Sequence, residues 1–218
     1  MKPLAAAIER AGTATRAKKE KAYLKSELVH YGVPVPGVRT IVKAYVRAHR
    51  DMTKKELRAG VEWLWSRGVY ELRFAACELL IAFSPLLSAK DAVLIERFIR
   101  EAKTWALVDV LAPSIMGPLF VREPSLGRVL DRWAKDDDFW VRRAALLTLL
   151  LPLRAGEGDF PRFSRYAAGM LDEKEFFIRK AIGWVLRETS KKRPELVRAW
   201  IEEFQPSGLT LREAAKKL

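Results

Sequence analysis

The stretch FFIRKAIGWVL, residues 176–186, decides the fold because the chain repeats its pattern. Each copy starts with an aromatic residue, and in three copies an Arg follows at the fourth position and an Ala at the sixth. The aromatic residues stand at 70, 105, 139 and 176, so the spacings are 35, 34 and 37 residues. A repeat of this length, with one helix pair per copy, is typical of an α-solenoid. The other copies are YELRFAACELL (70–80), WALVDVLAPSI (105–115), which lacks the Arg and Ala, and FWVRRAALLTL (139–149).

Helical periodicity extends over the rest of the chain. Apolar residues recur at i, i+3, i+4 and i+7, and the alternation typical of strands is scarce. We therefore predict ten to twelve helices in one all-α domain, residues 1–218, that curves around a concave basic groove. The basic and loosely patterned residues 1–20 are predicted to be less ordered.

Start and stop signals divide this domain into helices. Thr53-Lys-Lys-Glu56 is predicted to be a capping box, and Ser88 with Asp91 and Ser125 are predicted to open further helices. Breaks are predicted at clusters of Gly and Pro, namely residues 32–36, 84–85, 122–124, 156–158, 193–194 and 206–208.

The charge balance predicts a polyanionic partner. The chain has 40 Lys and Arg residues against 27 Asp and Glu residues, a formal net charge of +13. An excess of this size favours binding to nucleic acid, with an acidic membrane surface as the alternative.

The sequence argues against a disulfide and against a metal centre. Its one cysteine, Cys77, stands in an apolar run and is predicted to be a buried, inert thiol. The two histidines, His30 and His49, are too few and wrongly spaced to form a metal cluster with it. We expect no metal and no cofactor.

No segment suggests export or membrane insertion. Glu9 and Arg10 interrupt the apolar residues at the N-terminus before a signal peptide could form. No uncharged run approaches the roughly 20 residues that a membrane span needs. We expect a cytoplasmic monomer.

The variable fifth position of the repeat contains the residues that core packing does not explain. It holds Phe74, Asp109, Arg143 and Lys180. Trp105 precedes Asp109 by one helical turn, and Trp184 follows Lys180 by one turn. Each indole therefore shares a helix face with the fifth-position residue of its own helix. If the repeats stack in register, one surface combines a single carboxylate with cations and two indoles.

A purely structural interpretation is available for each of these residues. A tryptophan at helical spacing is commonly a core residue, as we predict for Trp63, Trp65, Trp133 and Trp200. Asp109 would be costly to bury alone, and a buried salt bridge to Arg142 or Arg143 is as good an explanation as a functional role.

The same blocks carry a resemblance to a known family. KEFFIRKAIGWVLRE (174–188), Trp105-x-x-x-Asp109 followed by Pro113, Phe139-Trp-Val-Arg-Arg-Ala-Ala145, and Tyr23-Leu-Lys-Ser26 leading to Gly32-Val-x-x-Pro36 occur here in the order of the AlkD-like DNA alkylation repair proteins. The chain resembles these DNA glycosylases, which are built from HEAT-like helical repeats, from about residue 20 to the end. One departure is that a single Trp stands at 105, where some relatives have two in succession.

The resemblance implies an activity and a set of site residues. The family removes cationic N3- and N7-alkylated purines from duplex DNA by hydrolysing the N-glycosidic bond. Lyase activity is not expected from the residues themselves, because it needs an activated amine nucleophile and Lys180, the conceivable candidate, has no clear reason to be desolvated. Its catalytic aspartate matches Asp109, and its active-site tryptophans match Trp105 and Trp184. Arg143 matches an arginine that contacts the DNA backbone, and Tyr23 matches a tyrosine near the same cleft.

Further basic residues are predicted to contact phosphates. They are Arg142, Lys180, Arg179 and Arg187, together with Lys18, Lys19 and Lys21 near the N-terminus. Two other functions remain open from the sequence: a helical-repeat protein that binds nucleic acid without catalysis, and a protein-interaction scaffold.

Overall fold

The chain forms α-helices from its second residue almost to its end. In this computed structural model, which describes all 218 residues, there are no strands, only an isolated bridge between Val29 and Val69. The helices, numbered along the chain, are α1 Lys2–Arg10, α2 Ala14–Leu24, α3 Val35–Ala48, α4 Lys54–Trp65, α5 Tyr70–Ala82, α6 Ala92–Ala102, α7 Trp105–Val110, α8 Gly117–Arg122, α9 Gly127–Trp133, α10 Phe139–Thr148, α11 Leu150–Arg154, α12 Phe160–Ala168, α13 Phe176–Ser190, α14 Pro194–Phe204 and α15 Gly208–Ala214.

The repeat read from the sequence coincides with the helix starts. Each of the four repeat aromatics is the first residue of a helix, namely of α5, α7, α10 and α13. The alanines at the sixth repeat position, Ala75, Ala144 and Ala181, are fully buried. Small side chains at these positions let neighbouring helices approach closely. The all-α solenoid prediction is confirmed.

Hydrogen bonds one repeat apart join successive helix pairs. Three side-chain bonds each connect residues separated by 36 positions: Trp65 Nε1 to Glu101 at 2.8 Å, Arg100 Nη2 to Asp136 at 2.5 Å, and Trp200 Nε1 to Ser164 at 2.9 Å. Stacking in this register places equivalent residues of consecutive repeats side by side, as a solenoid requires.

One hydrophobic core runs through the molecule, from Leu4 to Ala214. Leu4 and Ile8 of α1 lie in this core and are almost completely buried. Residues 1–20, expected from their charge to be less ordered, are therefore mostly helical: the apolar face of α1 packs against α3 and α5.

The predicted helix boundaries are mostly confirmed. Thr53 and Glu56 form a reciprocal capping box, and so do Ser88 and Asp91. Ser125 differs, because it lies in a 3₁₀ turn, Pro124–Leu126, and α9 begins only at Gly127. Each predicted break falls at a junction between two helices, and four of them include one or two terminal residues of a helix. The helices outnumber the ten to twelve expected because short turns split several of them.

A distorted helix crosses the middle of the fold. Helices α7 and α8 are joined by a π-helical segment, Leu111–Met116, into one run of 18 residues. Pro113 has no N–H to donate, and a wide π turn accommodates it without ending the helix. By length and composition alone this run could cross a membrane, but 56% of it is buried inside the fold, as in a core helix.

A buried carboxylate anchors the loop between α2 and α3. Glu71 is completely buried, and its oxygens accept the backbone N–H groups of Tyr31 at 2.9 Å, Gly32 at 2.5 Å and Val33 at 3.1 Å. This contact fixes the loop against α5, and with it the end of α2.

We expect Glu71→Gln to lower the free energy of unfolding by about 1–3 kcal/mol. The amide NH₂ would face backbone donors and leave at least one of them unpaired in the core. Chemical denaturation followed by circular dichroism measures the change. Glu175→Gln is the control: this half-buried residue precedes α13 and accepts a single backbone N–H, from Phe177 at 3.1 Å, which the amide oxygen of Gln can still accept. Equal stability of Glu71→Gln and the native protein would contradict this account of the loop.

Candidate active site

A cleft of about 810 Å³ lies where the end of α2 meets α7, α10 and α13. Helices α7, α10 and α13 each begin at a repeat aromatic and carry the variable fifth position of the repeat. The cleft is lined by Tyr23, Leu24, Lys25, Lys103, Thr104, Trp105, Asp109, Trp140, Arg143, Phe176, Phe177, Lys180, Trp184 and Arg187. The inferred row of Asp109, Arg143 and Lys180 therefore shares one surface with both indoles, while Phe74 is buried in the core instead.

Asp109 is held in the cleft by a two-point contact with Arg143. Arg143 Nε donates to Oδ1 of Asp109 and Nη2 donates to Oδ2, both at 2.9 Å. The Asp109 side chain keeps 16% of its surface exposed, against 3% for Arg143. Each carboxylate oxygen has a further lone pair, so Asp109 can accept a hydrogen bond from the cleft while it is paired.

The environment of Asp109 acts on its pKa in opposite directions. Burial raises the pKa above the usual value for an aspartate, whereas the charge and hydrogen bonds of Arg143 and the charge of Lys180 lower it. The net direction is upward. Such a group lies in a cleft with a specific charge partner, which is the usual setting of a functional carboxylate.

Arg143 is an internal support for Asp109. Besides the carboxylate, its Nη1 donates to the backbone carbonyl of Phe177, and its guanidinium lies 5.8 Å from the centre of the Phe177 ring. Three of its five N–H donors are used in these contacts, and its side chain is only 3% exposed. Its main role in this structure is therefore to hold Asp109, and the phosphate contact that the resemblance implied for Arg143 stays a prediction. The salt bridge that was the structural explanation for Asp109 is present, but it is open to the cleft.

The two tryptophans of the cleft differ from the core tryptophans. Trp105 and Trp184 are half-buried, and the rings of Tyr23 and Trp105 are in T-shaped contact, with their centres 6.0 Å apart and their planes at 83°. Tyr23 itself is 73% exposed. By contrast Trp65, Trp133 and Trp200 are buried as predicted, whereas Trp63 only packs against the core.

Close packing of α13 against α15 fixes the helix that carries Lys180 and Trp184. A Cβ added at Gly183 would come within 2.5 Å of the Glu213 Cβ and within 2.8 Å of the Thr210 carbonyl oxygen. Only glycine permits this approach. The Gly before Trp184 therefore serves packing behind the cleft, while the indole faces the cleft.

The remaining predicted phosphate contacts fall into two groups. Lys180 is exposed at the cleft, with its ammonium 5.5 Å from the Phe176 ring centre. Arg187 also lines the cleft but is paired with Glu213. Arg179 lies outside the lining and is half-buried near Gly208. Lys18, Lys19 and Lys21 are exposed on α2, where Lys19 borders a groove next to Tyr23.

Arg142 is turned away from the cleft. Its guanidinium binds Glu173 at 2.7 and 2.9 Å and the backbone carbonyls of Asp136 and Asp137. Arg73 has the equivalent repeat position and likewise binds two carbonyl oxygens, those of Trp65 and Glu101. In two of the three copies the Arg of the repeat therefore binds neighbouring backbone carbonyl groups inside the fold, so the predicted phosphate contact of Arg142 is not supported.

Sequence reasoning missed several residues of the cleft. Phe177 and Trp140 each follow a repeat aromatic directly, so the repeat contained a signal for them. Lys25 and Lys103 carry no signal, since they end helices that meet the cleft only in three dimensions.

His30 has neighbours that its sequence position did not suggest. It lies with Glu20 and Glu71 in a group whose potential ligand atoms are within 4.8 Å of one another. Both oxygens of Glu71 are already used by backbone N–H groups, which leaves this carboxylate poorly suited to binding a metal ion.

The fold and the cleft define a class of protein: an all-α helical-repeat protein with one carboxylate and two half-buried indoles in a cationic cleft. A family model described as DNA alkylation repair enzyme matches residues 4–218. The chain belongs to this family. It therefore acts in the repair of alkylated DNA.

Two solved structures have the same fold. One, a predicted DNA alkylation repair enzyme from Enterococcus faecalis, is 25% identical with a TM-score of 0.86, over 95% of this chain and 96% of that one. The other, AlkD2 from Streptococcus mutans, is 18% identical with a TM-score of 0.67, over 92% of this chain and 98% of that one. Comparison with curated protein sequences gives no match.

Proposed function

We propose that this protein is a DNA glycosylase that hydrolyses the N-glycosidic bond of N3- and N7-alkylated purines in duplex DNA. One observation carries the proposal: Asp109 reaches the cleft with a free lone pair on each oxygen, and Trp105 and Trp184 line the same cleft. The cations around it suit a DNA backbone.

Hydrolysis of this glycosidic bond needs no general acid. An N3- or N7-alkylated purine already carries a positive charge, so it departs with the bonding electron pair as a neutral base. The sugar is left as an oxocarbenium ion at C1′. Asp109 stabilises this developing charge electrostatically, and water adds to C1′ and loses its proton to complete hydrolysis.

The aromatic side chains contribute to the same transition state. A cation near an indole face gains about 0.5–2 kcal/mol. Trp105 and Trp184 would give this stabilisation to the sugar as it becomes positive. Lys180 is well placed for a phosphate of the same strand, because it is exposed and no carboxylate pairs with it.

The test is release of free base. A duplex containing 7-methylguanine is incubated with the protein, and the products are separated by chromatography. Free 7-methylguanine with an intact, abasic strand is the expected result. Salt-sensitive binding without release would support the non-catalytic nucleic-acid-binding protein, and negligible binding at moderate salt would support a protein-interaction scaffold.

Replacing Trp184 with Ala is expected to lower the rate of base release roughly 2- to 30-fold, the equivalent of one lost cation–π contact. The indole is half-buried, so stability should change less than in a core substitution. Trp133→Ala is the matched control: that ring is fully buried and its loss should cost about 3–5 kcal/mol of stability. Single-turnover kinetics and thermal melting measure both. Equal loss of stability in the two variants would show that Trp184 is only a core residue.

A further inference from the structure

Two lysines at the cleft have an unusual backbone conformation. Lys25, which ends α2, has φ = 48°, and Lys103, which ends α6, has φ = 51°. The left-handed region is unfavourable for residues with a Cβ, and helices that end this way usually have Gly or Asn at that position. Of the non-glycine residues, only Gln205 shares this conformation.

Both lysines lie at the same part of the cleft. Each is two residues from an aromatic that lines it, Lys25 from Tyr23 and Lys103 from Trp105, and those two rings are in contact. The end of α2 and the start of α7 are therefore joined at this point, with one lysine from each side of the junction.

The ammonium groups of these lysines are free. Lys25 and Lys103 are exposed residues, and neither takes part in a salt bridge. The arginines of the cleft, Arg143 and Arg187, are both occupied by carboxylates. The unpaired positive charge at the cleft is therefore supplied by lysines, including Lys180.

We propose that Lys25 and Lys103 form a phosphate-binding pair that holds the DNA strand whose sugar lies against Trp105 and Asp109. This assignment rests on the proposed function for the identity of the strand. It explains why Lys occupies two positions at which Gly would relieve the backbone: an ammonium is needed there.

A structural alternative exists for each lysine on its own. A cation at a helix C-terminus interacts favourably with the helix dipole, and this requires no DNA. The two explanations differ in one measurable respect, since only phosphate binding couples the lysines to the salt dependence of DNA affinity.

The experiment compares Lys25→Gly and Lys103→Gly, singly and together, with Gln205→Gly as the matched control. Gln205 has the same left-handed backbone at the end of α14 and does not line the cleft. Affinity for a short undamaged duplex is titrated at several NaCl concentrations, and thermal melting is followed in parallel. Lys25→Arg with Lys103→Arg retains both charges.

We expect the slope of log affinity against log salt to decrease by about 0.9 for each lysine lost. The Arg double variant and Gln205→Gly should keep the native slope. Melting temperatures should not fall, because Gly adopts this backbone freely; if the Gly variants nevertheless failed to fold, Asn would replace Gly. A native slope in the folded double variant would overturn the proposal.

The outcome is independent of catalysis. A protein that releases no base could still show the loss of slope, which would reject the glycosylase and keep the phosphate pair. Conversely, if the native protein releases base but the double Gly variant keeps the native salt slope, only the phosphate pair is rejected.

Discussion

Asp109→Asn is expected to reduce the rate of base release at least about 100-fold. Removing one preorganised electrostatic contact to a developing charge typically costs a factor of 10²–10³. Here the carboxylate supplies the one negative charge among the lining residues of the cleft, so no neighbour can replace it. The amide has the same shape, so DNA can still enter. Rates are measured under single-turnover conditions with 7-methylguanine duplex.

A second carboxylate provides the control for this substitution. Asp131 is also paired with an arginine, Arg162, but it lies outside the cleft and its side chain is 47% exposed. Asp131→Asn should leave base release unchanged. Because Asp109→Asn leaves Arg143 without its carboxylate, the folded fraction is checked by circular dichroism. Full activity in folded Asp109→Asn would show that another group, or no group, does the chemistry.

The repeat made much of this site predictable. Aromatic spacing placed the starts of α5, α7, α10 and α13, and the equivalent fifth positions brought Asp109, Arg143 and Lys180 to one row. The reason is periodicity: once helices stack in register, equivalent residues must be neighbours.

The carboxylate partner of each arginine in α10 was not predictable from the sequence. Arg142 and Arg143 are adjacent and chemically identical, yet one faces Glu173 and the other faces Asp109. The direction of each depends on a rotation of α10 that sequence spacing fixes only approximately. The role of Glu71 was hidden in a similar way, because its three backbone donors are about 40 residues earlier in the chain.

Because Arg143 pairs with Asp109, replacing Arg143 should affect base release differently from the loss of a phosphate contact. We expect Arg143→Gln to lower base release at neutral pH and to shift the acid limb of its pH profile to higher pH. Burial raises the pKa of Asp109, and Arg143 opposes that rise. Without the guanidinium the pKa rises further, so a larger fraction of Asp109 is protonated, and inactive, at any given pH. Raising the pH should therefore restore part of the activity.

In Arg143→Gln, the contribution of Asp109 to the free energy of unfolding should decrease as the pH rises, whereas base release should increase. Removing one member of a buried ion pair costs about 3–5 kcal/mol, and the partial exposure of Asp109 favours the lower end of this range. In Arg143→Gln the folded state binds a proton at Asp109 more tightly than the unfolded state does. The contribution of Asp109 to the stability of this variant is therefore fully present below its unfolded pKa of about 3.9 and is lost as the pH rises through the folded pKa.

Base release and denaturant unfolding, each measured across pH, separate the two possible roles of Arg143. Arg143→Lys keeps the charge but cannot span both carboxylate oxygens, so it should show a smaller shift of the acid limb. If Arg143→Gln instead kept the native pH profile and lost only DNA affinity, with a reduced salt slope, Arg143 would be a phosphate contact. The opposing pH trends of activity and stability follow only if the arginine acts through Asp109, since a phosphate contact has no means of changing the protonation of that carboxylate.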